Sequence, residues 1–126
     1  MGPSPAAISG KRAENAACQF LMQHGLRPVI QNYTRRFGEL DIVCLHDNEL
    51  VFVEVRYRQQ ARFTAPAITV DRHKQRKLIR AAALFLAHHP RYANHVCRFD
   101  VVAVTGDTYT DCTWIRDAFR PADSNL

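Results

Sequence analysis

Glu39-Leu40-Asp41-Ile42-Val43-Cys44-Leu45 and Leu50-Val51-Phe52-Val53-Glu54-Val55-Arg56-Tyr57, separated by His46-Asp47-Asn48-Glu49, decide the fold of this chain. Both runs are apolar and rich in β-branched residues, and the polar break between them is a hairpin signal. With the turn centred between Asp47 and Asn48, Leu45 faces Leu50, Val43 faces Phe52, Asp41 faces Glu54 and Glu39 faces Arg56. Directly opposed residues share one face, with Cβ atoms about 4.5–5.5 Å apart. Asp41 and Glu54 are therefore expected side by side, at the rim of an apolar face made by Val43, Leu45, Leu50 and Phe52.

Outward from the hairpin, residues 7 to 24 predict a helix with Ala13, Ala16, Ala17, Phe20 and Leu21 on one stripe, stopped by Gly25. Pro28 to Arg35 predicts a first strand, and Gly38 restarts the chain. Residues 58 to 68 read as a polar loop. Helix is expected from about Val70 to His88, apolar at Leu78, Ala81, Ala82, Phe85 and Leu86, with Pro90 limiting its continuation. Cys97 to Thr105 is apolar on both faces and predicts a central strand, and Cys112 to Arg116 a short edge strand. The order αβββαββ defines an α/β fold in one domain, residues 7–120, with tails at 1–6 and 121–126.

Hydrophobic residues make up 47% of the 126 positions and charged residues 23%, ordinary globular usage that excludes wholesale disorder. The longest apolar run, Ala81 to Ala87, falls far short of the roughly 20 residues of a membrane span. No secretory signal opens the chain. Cys18, Cys44, Cys97 and Cys112 show no metal or redox spacing, so a reduced, cytoplasmic setting is expected.

Like charges directly opposed in a sheet are destabilising. Two remedies are open for Asp41 and Glu54, a shared proton or a cation between them, and oxygen-only ligands suit magnesium or manganese. Arg56 adds a fixed positive charge on the same face. Glu14, beside the apolar stripe of the first helix, is a third carboxylate able to point toward the sheet. The competing reading is a solvated salt-bridge ladder of Glu39, Asp41, Glu54 and Arg56.

Seventeen basic residues against twelve acidic ones give the chain a net +5, a balance that suggests an anionic partner. The excess is local. From Arg56 to Arg80 there are eight basic residues (Arg56, Arg58, Arg62, Arg72, Lys74, Arg76, Lys77, Arg80) and one acid, Asp71, giving +7 there and −2 elsewhere. Arg72, Arg76 and Arg80 share a helix face, where like charges repel and a basic first turn opposes the helix dipole. Such a segment suits phosphates; the competing reading is a solvated helix face.

The runs Phe37-Gly38-Glu39-Leu40-Asp41-Ile42-Val43 and Val51-Phe52-Val53-Glu54-Val55-Arg56-Tyr57-Arg58, with Lys74 and Arg98-Phe99-Asp100, resemble the YraN-like family of small bacterial proteins. The resemblance covers about residues 8 to 118. That family is similar to a branch of the PD-(D/E)xK nuclease superfamily, close to archaeal Holliday-junction resolvases and restriction-endonuclease folds. The resemblance implies a restriction-endonuclease-like three-layer core with a mixed sheet and flanking helices. By position it makes Asp41 the motif aspartate, Glu54 the acid of the E-x-K element and Glu14 the first-helix glutamate. The main-chain carbonyl of Val55 becomes a further metal ligand, with Mg²⁺ or Mn²⁺ as cofactor.

Arg56 departs from the pattern, because it occupies the lysine position. Arginine can stabilise developing phosphorane charge but does not deprotonate in proteins. Lys74 is the candidate for a displaced lysine.

The leading expectation is a metal-dependent endonuclease acting on structured or branched DNA. Arg58, Arg62, Arg72, Lys74, Arg76, Lys77 and Arg80 would hold the nucleic-acid backbone. The rival is a non-catalytic nucleic-acid-binding module on the same fold. A protein-interaction role has only an apolar edge near Trp114 to support it. Resolvase relatives also imply a homodimer, although no dimer surface is identifiable in the chain.

Overall fold

The computed structural model describes residues 2, 4–36, 38–58, 69–106, 108–109 and 111–121, the side chains of residues 6–9 excepted. Helix α1 (Pro5–Gln23) leads into strands β1 (Arg27–Arg35), β2 (Gly38–His46) and β3 (Glu49–Arg58). Helix α2 (Arg72–His88) and a 3₁₀ turn (Pro90–Tyr92) follow, then β4 (Val96–Thr105) and β5 (Asp111–Phe119). The strands lie in sequence order in one sheet. Only β3 and β4 run parallel, joined by the α2 crossover, and the other pairs are antiparallel. The expected αβββαββ order is present.

The β2–β3 hairpin has the expected register, with Leu45 opposite Leu50, Val43 opposite Phe52 and Ile42 opposite Val53. Its turn places Asp47 at φ 54°, a left-handed conformation that aspartate tolerates better than most residues. Alternation along the strands sends Val43, Leu50, Phe52, Phe99 and Val101 to a core shared with Leu78, Ala81, Ala82 and Phe85 of α2. Ile42, Cys44, Val51, Val53, Val102 and Val104 face the opposite core, shared with Ala13, Ala17, Cys18 and Leu21 of α1. The result is a three-layer α/β/α core, compatible with the nuclease-like architecture. Burying a side chain such as Leu21 or Phe85 contributes roughly 1.5–3 kcal/mol.

Both helices are closed by local chemistry. At the end of α1, Leu26 N–H donates to Leu21 O at 3.0 Å and Gly25 N–H to Met22 O at 3.1 Å. Gly25 sits at φ 89°, which completes a Schellman stop and turns Leu26 into the core. Helix α2 starts two residues later than Val70, because the Asp71 carboxylate accepts the Lys74 N–H at 2.8 Å and caps it. Helix α1 begins at Pro5, earlier than expected; proline suits a first turn, whose amides have no helical partner.

Strand β5 is longer than the expected Cys112 to Arg116. Its register against β4 shifts between Phe99 and Val101, at a bulge where Asp117 takes φ 51°. The bulge serves Asp100, a fully buried carboxylate. Asp100 accepts from Asp117 N–H and from Trp114 Nε1, each at 2.9 Å, and from Arg98 Nε at 3.0 Å. Arg98 also donates to Glu49 Oε2 at 2.6 Å and meets His46 Nδ1 at 2.9 Å. Burial opposes the Arg98 charge, but its bonds to Asp100 and Glu49 outweigh that and raise its pKa. This network stitches β2, β3, β4 and β5 together. The apolar edge near Trp114 is packed internally against Phe20, His24 and His46.

Gly38 is where β2 passes closest to α2. A Cβ there would stand 3.2 Å from the Lys77 carbonyl oxygen and 3.5 Å from Ala81 Cβ. Gly38→Ala is expected to destabilise the protein by about 1–3 kcal/mol, since helix backbone has little room to move. Gly10→Ala, whose added methyl meets nothing within 4 Å, should instead be neutral or stabilise by up to about 1 kcal/mol. Urea denaturation of the two variants checks the pair, and equal effects would contradict the close approach.

Candidate metal and nucleic-acid site

The β2–β3 ladder ends at Ile42 and Val53. Beyond that pair, Val55 N–H, two residues on in β3, donates to Asp41 Oδ2 at 2.8 Å, so a carboxylate takes the amide hydrogen bond at the end of the ladder. Side-chain alternation also breaks here. Leu40 and Val43 both enter the α2 core, while Ile42 enters the α1 core. Opposite the break, between the pairs Gln31–Ile42 and Tyr33–Leu40, Asn32 sits at φ 56°.

Asp41 thereby lines a cleft on the α1 side with Glu14, Lys11, Glu39, Val55 and Tyr57, about 540 Å³ in volume. Glu54 instead follows Phe52 toward α2 and is buried. The Asp41 carboxylate still acts on Glu54 at the end of the ladder and raises its pKa. They interact across the gap between diverging strands, which corrects the expectation of two acids opposed on one face. Glu39 and Arg56 likewise lie beyond the paired part of the ladder.

Around Glu54 the charges are arranged to compensate. Lys74 Nζ of α2 is 3.5 Å from Glu54 Oε2. Arg56 also acts on Glu54 electrostatically and, with Lys74, favours its charged form. Burial comes first among the opposing causes, then the negative Asp41, and together these push the Glu54 pKa well above the usual carboxylate range. Lys74, the displaced-lysine candidate, therefore reaches the acid pair from a different element than the E-x-K strand.

Glu14 projects from α1 toward the same pair. It is buried, and its Oε1 has no hydrogen-bond partner among the described residues. Burial, then the nearby Asp41 charge, lifts its pKa to about 7, against smaller opposing contributions from Lys11 and Gln31. An unpartnered buried carboxyl oxygen costs free energy, so the fold keeps Glu14 there against its own stability.

The donors gathered here are all oxygen, the chemistry of a hard cation. No three His, Cys, Asp or Glu side chains among the described residues cluster closely enough to share one ion. An ion would therefore draw on Asp41, Glu54 and a main-chain carbonyl such as that of Val55, with Glu14 close by.

The basic residues split into two groups. Lys74 belongs to the acid pair. Arg72, Arg76, Lys77 and Arg80 are exposed on α2, and Arg58 is exposed at the end of β3. Arg76, Lys77 and Arg80 line a cleft of about 530 Å³ together with Arg36, Gly38 and His73. Arg36 and His73 escaped the sequence reading. Arg36 lies outside the basic run, and a histidine two residues past a loop carries no spacing signal. Arg62 lies outside the described residues.

A three-layer α/β/α protein with a half-buried Asp41 beside a buried Glu54, where the β2–β3 ladder ends, is the class that fold and site define. The chain belongs to the Uncharacterised protein family UPF0102, which matches residues 13–104. Among its relatives, a UPF0102 protein of Stutzerimonas stutzeri (strain A1501) is 49% identical over 118 residues, covering 93% of this chain and 98% of that protein. One from Xanthomonas campestris pv. campestris (strain B100) is 50% identical over 121 residues, covering 96% and 98%. One from Pseudomonas syringae pv. syringae (strain B728a) is 46% identical over 113 residues, covering 88% and 92%. No helix of the described residues is long and apolar enough to cross a membrane.

The raised carboxyls fix the sign of one pH effect. A group whose folded pKa exceeds its unfolded value binds more protons when folded, so its stabilising contribution is lost as pH rises through the folded pKa. Between the ordinary value of 4.5 and about 7 for Glu14, metal-free protein should lose stability as pH increases. Glu14→Gln should flatten that loss, by on the order of 2 kcal/mol at pH 8 after solvent screening. Urea midpoints at pH 5 and pH 8 in chelator measure it, and identical pH profiles for both proteins would contradict the burial of Glu14.

Proposed function

We propose that this protein is a metal-dependent endonuclease that hydrolyses DNA phosphodiesters, with structured or branched DNA as its substrate, in the cytoplasm. The observation that carries the reading is the forced meeting of Asp41 and Glu54 beside the unpartnered Glu14 oxygen. Glu14 of α1 shares a cleft with Asp41, which acts on Glu54 at the end of the β2–β3 ladder, next to a strongly basic helix.

Asp41, Glu54 and the Val55 carbonyl would hold Mg²⁺ or Mn²⁺, which would lower the pKa of a water and neutralise phosphate charge. The protein's own groups do the rest. The Val55 N–H fixes the Asp41 carboxylate in orientation. Glu14 Oε1, with an open lone pair, accepts a hydrogen bond from a water in the cleft and orients it. Arg56 stabilises negative charge developing on the phosphoryl oxygens and cannot act as base. Lys74, positioned by Glu54, is the nearby group able to donate a proton. Arg58, Arg62, Arg72, Arg76, Lys77 and Arg80 hold the sugar–phosphate backbone without reading sequence. A homodimer would offer two such sites to the two strands of a junction.

A second reading, a non-catalytic nucleic-acid-binding module, is favoured by two observations. No three acids among the described residues cluster closely enough to share an ion, and the lysine position holds Arg56.

Titration of Mg²⁺ and Mn²⁺ by calorimetry, with linear, single-stranded and four-way-junction DNA as substrates, separates the two. Wild type is expected to take up metal and cut at least one substrate. Asp41→Asn is expected to lose both, with cleavage falling by at least about 100-fold, as for loss of a group central to transition-state stabilisation. Equal DNA binding by both proteins, with no metal uptake and no cleavage, would leave the binding module as the function.

A further inference from the structure

Successive residues of β2 serve opposite faces of the sheet. Glu39 lines the acid cleft on the α1 side, while Gly38 lines the cationic cleft on the α2 side. The two clefts are therefore separated by the tip of the β1–β2 hairpin. Three cations of the second cleft, Arg76, Lys77 and Arg80, form no ion pair among the described residues. They sit in the N-terminal half of α2, where positive charge opposes both the helix dipole and its own neighbours. Among the described residues, the lining of that cleft includes no acid. Gly38 leaves room at its floor, since any side chain would press on the Lys77 carbonyl. The fold thus concentrates positive charge in a recess.

We propose that the cleft of Arg36, His73, Arg76, Lys77 and Arg80 is a non-catalytic phosphate subsite that grips the nucleic-acid backbone on the sheet face opposite the acid cleft. This rests on the nucleic-acid reading above and deepens it. The backbone is held on both sides of the hairpin tip, so that a chain cut on one face is anchored on the other. Guanidinium groups suit this task, presenting forked donors to phosphate oxygens.

The test is binding of a fluorescent four-way junction by the full chain in chelator, where no cleavage occurs, across a series of salt concentrations. Arg36→Ala and Lys77→Ala should each weaken binding about 3- to 10-fold and lower the salt slope by about one. Lys77→Arg should restore the slope, and Arg12→Ala, on the exposed surface of α1, should change neither quantity. Circular-dichroism melts show whether each variant folds, and an unfolded variant is replaced by the glutamine substitution at the same position.

A second arm uses inorganic phosphate as the probe. If phosphate raises the melting temperature of wild type but not of Lys77→Ala, while junction binding is the same for both, the cleft takes a small phosphate compound and the backbone assignment is overturned. Unchanged affinity and slope in both alanine variants, with no phosphate effect, would also overturn it. Because metal is absent, these outcomes are independent of cleavage. Loss of binding in Lys77→Ala with no cleavage by any protein would uphold the subsite and sink the nuclease reading. Cleavage by wild type with binding unaltered in the variants would do the reverse.

Discussion

The hydrogen bond from Val55 N–H to the Asp41 carboxylate, 2.8 Å long, marks where the pairing of β2 with β3 gives way to the candidate site. A strand amide normally finds a carbonyl on its neighbour. Here it finds an acid side chain, and β2 and β3 diverge beyond it. Every other feature of the site follows from that exchange. Asp41 turns toward α1, Glu54 turns toward α2, and Asp41 still raises the Glu54 pKa. The energetic result is a cluster that works against the fold. Desolvation and mutual repulsion raise the pKa of Glu14 and Glu54, and a buried oxygen of Glu14 goes without a partner. Local strain and unsatisfied polar groups persist only when surrounding structure over-determines them. Two packed cores and the Arg98–Asp100 network supply that excess.

The two ends of the sheet treat buried charge differently. At the Arg98 end, Asp100 is satisfied by Arg98, Trp114 and the Asp117 amide, and nothing is left for a ligand. At the Asp41 end, the described acids repel one another, and Lys74 offsets them only in part. Buried ion pairs are sustained when hydrogen bonds complete them. By that standard the first network is complete, and the second is left with an unpartnered Glu14 oxygen.

Much of this was legible in the chain. A two-residue turn flanked by alternating apolar residues pins hairpin register, so the meeting of Asp41 and Glu54 could be read directly. Period-four apolar stripes gave both helices, and Gly25 gave the end of α1. The geometry of the meeting was not legible. It depends on Asn32 taking a left-handed conformation across from Asp41, which breaks the alternation that sequence patterns assume. The length of β5 was hidden for the same reason, since Asp117 absorbs a bulge. The cationic cleft joins Arg36 to residues of α2 that are distant in sequence, and only the packing of β2 against α2 brings them together.

The edges of the sheet carry a consequence for assembly. At one margin, the β5 bulge, the exposed Arg116 and the Asp117–Arg120 ion pair interrupt the row of amides that an incoming strand would need. At the other margin, Pro28 lacks an amide, a register shift follows it, and Arg27 and Arg35 are exposed at the two ends of the strand. Two copies docking antiparallel along β1 would set arginine against arginine. Features of this kind discourage strand addition. Both margins therefore disfavour continuing one sheet into that of a second copy.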